Sequence, residues 1–99
     1  MRLTQQQIET IRTLATQVAG EKASLRVFGS RIDDHARGGD LDLLLSLEDP
    51  VDQPAVMAAS LAAKVSRTLH GRKVDVVILA PNLTRQPIHD IALQEGILL

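Results

Sequence analysis

The sequence predicts an α+β fold, a small sheet with helices packed on it. Three observations carry that expectation. Two long stretches place apolar residues at helical spacing, short apolar runs are bounded by turn residues, and the elements follow in the order helix, strand, strand, helix, strand, helix. At 99 residues the chain has the size of one small domain with one modest core. Residues 1–99 are therefore expected to form a single domain, leaving any large acceptor to be recognised by a partner or a second copy.

Thr4 followed by Gln7 has the spacing of a capping box. Ile8, Ile11, Ala15 and Val18 then recur at helical spacing and Gly20 supplies a stop, which predicts a helix over 5–19. LRVF (25–28) reads as a short strand ending at Gly29-Ser30, and the polar, glycine-terminated RIDDHARGG as a loop. LDLLLSL (41–47) is too leucine-rich for periodicity to assign, but its length and the following Glu48-Asp49-Pro50 favour a strand. A second helix is expected over 53–69, with Met57, Leu61, Val65 and Leu69 on one face and His70-Gly71 at its end. KVDVVIL (73–79) is a β-branched strand closed by Ala80-Pro81-Asn82. A short helix over 86–95 ends at Gly96. The tail Ile97-Leu98-Leu99 either closes the core or marks a partner surface.

Composition removes several classes of function. A formal net charge of −1 gives no case for a general nucleic-acid or membrane-surface binder. The chain has no cysteine, which excludes disulfides, thiol catalysis and thiolate metal sites. MRLTQQQIET lacks the apolar stretch of a signal peptide, and no run approaches the roughly 20 apolar residues that span a bilayer. The expectation is a cytoplasmic protein. Phe28 is its one aromatic residue, so tight base recognition through stacking is not expected from this chain alone.

Three features point to chemistry. Glycine at Gly29-Ser30 lets backbone amides turn towards an anion, and the Ser30 hydroxyl adds a donor. Asp40 and Asp42 are two apart on a strand, so their carboxylates emerge on one face, where they repel unless a cation lies between them. Magnesium takes such oxygen ligands together with substrate phosphates. Asp75 lies among aliphatic residues and joins the same cluster if its strand lies beside that of Asp42. Three carboxylates suffice for two metals, an arrangement suited to phosphoryl transfer.

VFGSRIDDHARGGDLDLLL (27–45) resembles the signature of the DNA polymerase β superfamily of nucleotidyltransferases: Gly-Ser, a loop, Asp-x-Asp on a strand, and a third Asp on a later strand. Nine residues separate Ser30 from Asp40, one fewer than in many small bacterial members. The resemblance covers essentially the whole chain. It is strongest to minimal nucleotidyltransferase (MNT) domains that are paired with a small helical HEPN-type protein, some as antitoxin and toxin. It implies the polymerase β-like fold, a small mixed sheet in a two-layer arrangement. It further implies that Gly29 and Ser30 hold the triphosphate, that Asp40 and Asp42 bind two Mg2+ ions, and that Asp75 binds the catalytic ion and helps deprotonate the acceptor. The reaction it implies is transfer of a nucleoside monophosphate, typically AMP from ATP, to a hydroxyl with release of pyrophosphate; the small size of the chain points to a partner protein as the acceptor.

Arg31 and Arg37 are weaker candidates, either of which could reach phosphate oxygens from the loop, with Arg31 taken as a nucleotide-binding residue; Asp33 and Asp34 have no place in the metal scheme. His35, His70 and His89 lack metal-site spacing, and a structural role suits His70 at its helix end. Two readings stay open: an enzyme, or an antitoxin-like subunit that neutralises its partner by contact. Homo-oligomers are compatible with either. Antibiotic nucleotidylation ranks lower, because it usually needs extra structure to bind the drug.

Overall fold

The computed structural model describes residues 3–29 and 40–99. Helix α1 (Gln5–Ala19) begins where the capping box places it. The Thr4 N–H donates to Gln7 Oε1 (2.9 Å), and the Gln7 N–H donates to Thr4 Oγ1 (3.0 Å). These bonds satisfy backbone donors that a helix start otherwise leaves open. Gly20, at φ 91°, ends the helix and donates its N–H to the Thr16 carbonyl. Ile11 has no exposed surface, and burial of a side chain of this size is worth about 1.5–3 kcal/mol.

Strand β1 (Ser24–Phe28) pairs antiparallel with β2 (Leu41–Ser46). Beyond β2 the chain crosses over through α2 (Pro54–Thr68) and returns as β3 (Val74–Leu79), parallel to β2. A parallel pair requires a crossover of this kind, and the proline at the first turn of α2 suits a position with no helical N–H bond to lose. Helix α3 (Pro87–Glu95) follows, and β4 (Ile97–Leu98) adds to the free edge of β1. The result is a four-stranded mixed sheet in the order β3-β2-β1-β4. The expected α+β class and element order hold, with strand and helix ends shifted by one residue or none, apart from the additional β4.

The central position of β2 explains its leucines. Leu41, Leu43 and Leu45 face α1 and α2 in the main core, whereas Leu44 faces the opposite side with Phe28 and Ala92. A strand covered on both faces has no polar side to alternate with, so periodicity could not assign it. The α1–α2 layer covers one face. The shorter α3 rests on the other, over Phe28, Leu44 and Val77. Among the described residues, no helix covers the end of the second face where β2 and β3 begin.

Two details brace this arrangement. The Asn82 amide accepts from the Val51 N–H (3.0 Å) and donates to the Val51 carbonyl (2.8 Å), tying together the connections that follow β2 and β3. At the end of α2, His70 adopts a left-handed φ of 60°, and Gly71 follows at 83°. Their N–H groups bond the Arg67 and Ser66 carbonyls, which is the Schellman arrangement with histidine in the place glycine usually fills. His70 thus has the structural place expected of it. Within the tail, Leu99 packs on the main core, while Ile97 and Leu98 are exposed. No helix among the described residues is long and apolar enough to cross a membrane.

Candidate functional site

Register alone brings the acids together. Leu41 is fully buried in the main core, so its neighbours Asp40 and Asp42 project from the opposite face. In the parallel pairing Asp42 lies opposite Asp75, on adjoining strands about 4.8 Å apart. Asp75 therefore occupies the neighbouring position that the sequence required of its strand. It is exposed, whereas Asp40 and Asp42 are half-buried.

Gly29 forms the third wall. It follows Phe28, the register partner of Asp42 on the other side. Its φ of 80° lies in the left-handed region, and a Cβ added there would run into the Asp42 carboxylate. Glycine is thus favoured twice, by backbone conformation and by the close approach of an acid. Ser30 and Arg31, the other predicted triphosphate-binding residues, lie outside the described residues, as do Asp33, Asp34, His35 and Arg37.

The electrostatics follow from this packing. Burial, then the charge of Asp75, then that of Asp40, pushes the Asp42 carboxyl above its ordinary range, with Lys73 opposing them. Lys73 Nζ lies 3.5 Å from Asp40 Oδ2. In the sequence Lys73 marks only the start of a strand. Its position two residues before Asp75 placed it on the same face, but its meeting with Asp40 needed the β2–β3 register.

The donor set suits a hard cation. All three groups are carboxylates, and the crowding of negative charge at Asp42 is what a cation would relieve. Among the described residues no three His, Cys, Asp or Glu side chains converge into a ready-made metal cage. Magnesium does not require one, since it commonly takes one or two carboxylates and completes its shell with water and substrate phosphates. A cavity of about 460 Å³ between α1 and α2, lined by Val18, Val51, Val56 and Met57 among others, includes none of these acids.

Two further side chains have settled places. Phe28 is buried against Leu44 and Ala92, so no base can stack on it without opening that cluster. His89 is buried too: its Nδ1 accepts from the Gln86 N–H (2.8 Å), and its Nε2 lies 2.9 Å from the Ile78 carbonyl. The first bond makes Nδ1 the acceptor, which leaves Nε2–H to donate to Ile78. His89 therefore fastens α3 to β3 rather than facing an acceptor.

Among protein families, the one described as nucleotidyltransferase domain matches residues 7–99. Several solved structures share the fold at 18% sequence identity. One is a chain of the complex between the tri-AMPylated Shewanella oneidensis HEPN toxin and MNT antitoxin, with a TM-score of 0.66 over 97% of this chain and 71% of that one. A second is a chain of a toxin–antitoxin structure with AMP-PNP, at 0.65 over 97% and 72%. The third is a chain of the toxin–antitoxin MntA-HpeT in a mutant with two aspartates changed to glutamate, at 0.65 over 97% and 71%. No curated protein matches the chain.

Proposed function

Because the chain belongs to the nucleotidyltransferase domain family, we propose that it is a magnesium-dependent enzyme that transfers AMP from ATP to a hydroxyl on a partner protein. The observation that carries this reading is the direct register partnership of Asp42 with Asp75, with Asp40 on the same face. In this proposal residues 1–99 act as one minimal domain. Asp40, Asp42 and Asp75 hold magnesium, and Gly29, Ser30 and Arg31 hold the triphosphate. The partner is a small helical HEPN-type protein. The structure with AMP-PNP and the complex with a tri-AMPylated HEPN toxin support the choice of nucleotide and of acceptor.

The chemistry is a displacement at phosphorus. The acceptor oxygen forms a bond to the α-phosphorus, the bond from that phosphorus to the bridging oxygen breaks, and pyrophosphate departs. The acceptor proton goes to Asp75, the carboxylate whose exposure lets it meet a hydroxyl arriving from outside. Bound magnesium supplies neutralisation of the phosphate charge. The Gly29 turn lies close against Asp42, with no side chain of its own between the β1 end and that acid.

Purified protein is incubated with labelled ATP, magnesium and a candidate helical partner, alongside Asp42→Ala. Loss of a transition-state electrostatic contact costs on the order of 10²-fold or more in rate, so the variant is expected to leave the partner essentially unlabelled. Equal labelling by both proteins overturns the enzyme reading.

A second reading, an antitoxin-like subunit acting by contact, has its own supporting observation. Ile88 and Ile91, three apart on α3, are exposed, as is Leu98 on β4, and exposed apolar side chains suit a partner interface. A stable complex without labelling favours that reading.

A further inference from the structure

Lys73 is a charged residue within the acid cluster that the proposed reaction leaves unused. Its carbonyl accepts from the Leu41 N–H (3.0 Å), which extends the β2–β3 ladder by one residue and fixes where its side chain begins. Its ammonium lies 3.5 Å from Asp40 Oδ2, and its charge also reaches Asp42. The side chain is 68% exposed and that of Asp40 44%. An ion pair this open to water contributes little to folding and is readily exchanged for another partner.

We propose that Lys73 is the resident counter-ion of the site. With no nucleotide bound, its ammonium stands beside Asp40 where a divalent cation would approach. When metal and triphosphate arrive together, it moves to a phosphate oxygen. This inference rests on reading the three acids as a cation site. A flexible four-carbon stem bearing three donors permits both positions. Lys73 is therefore a positioning residue with opposite effects on two ligands. It weakens binding of the metal alone, by like charge, and strengthens binding of the triphosphate. The site is thereby biased against idle metal and towards the loaded nucleotide.

The test measures Mn2+ binding by electron paramagnetic resonance, without nucleotide and then with a non-hydrolysable ATP analogue, for wild type, Lys73→Gln and Lys73→Arg. Loss of one positive charge at the rim of a solvated site is expected to tighten Mn2+ alone by about 3- to 10-fold in Lys73→Gln. The same variant is expected to bind the analogue, at saturating Mn2+, about 3- to 10-fold more weakly, since one charge-assisted bond is lost. Lys73→Arg keeps the charge and is expected to follow wild type in both measurements. Equal Mn2+ affinity in wild type and Lys73→Gln overturns the role of Lys73 while leaving the acids as a cation site. Absence of Mn2+ binding to wild type, with and without the analogue, overturns both. A change of the same sign for both ligands indicates general disruption and also refutes the proposal.

Discussion

Gly29→Ala tests the geometry of the site at its tightest point. An L-residue at the left-handed φ of Gly29 carries a penalty of about 1–2 kcal/mol. The new methyl also collides with the Asp42 carboxylate. The side chain can yield by turning off its rotamer, at a cost of about 0.5–1.5 kcal/mol. Together these come to about 1.5–3.5 kcal/mol, or roughly 6–28 °C in melting temperature for a chain of this size. In an Asp42→Ala background the collision is gone and only the backbone penalty remains, about 1–2 kcal/mol. Melting curves of the four proteins of this double-mutant cycle, recorded by circular dichroism because the chain has no tryptophan, isolate the difference. Expected coupling is about 1 kcal/mol, with Gly29→Ala milder once Asp42 is absent. Labelling of the partner by Gly29→Ala should fall by about 10²-fold, since a displaced carboxylate misaligns the reacting groups. An identical cost in both backgrounds refutes the argument that contact with Asp42 selects glycine here.

Asp42 also makes stability depend on pH. Its carboxyl lies above the ordinary value of 3.8 in the fold and returns to it on unfolding, so between those values the folded chain binds more protons. Stability of the metal-free protein then falls as pH rises through that window. In EDTA at neutral pH, Asp42→Asn is expected to melt above wild type, with the gap closing as pH falls below 4. A wild type that melts higher than the variant at pH 7 counts against the crowding of charge at this residue. His89→Ala removes the bond that fastens α3 to β3 and the one that closes the start of α3, leaving the buried Ile78 carbonyl and the Gln86 N–H to find other partners. The loss is expected to be about 2–4 kcal/mol by chemical denaturation, and a cost below about 1 kcal/mol contradicts the fastening role.

Legibility in the sequence followed the range of the forces involved. The capping box at Thr4 and Gln7 is local, and α1 has the predicted bounds. Asp40 and Asp42 needed only the two-residue repeat of a strand. Asp75 needed a pairing between strands some thirty residues apart, which no local pattern carries. Resemblance to the family supplied that pairing, and the register agrees with it. The meeting of Lys73 with Asp40 depends on the same register and on nothing local, so it went unread. β4 escaped notice because two residues cannot display a period, and its place is set by the open edge of β1. The burial of Phe28 and His89 depends on where α3 comes to rest, which a nine-residue helix does not announce.

The middle position of β2 bears on the order in which this molecule takes shape. Its pairing with β1 closes a short span of chain, whereas its pairing with β3 must wait for the α2 crossover to be bridged. Short-range closure costs less entropy and generally comes earlier. A hairpin formed first holds Asp42 and Gly29 but lacks Asp75. Asp75 takes its place beside Asp42 only when the β2–β3 pairing is made, so a ligand that needs all three acids selects chains that have made that pairing over precursors that hold only the hairpin.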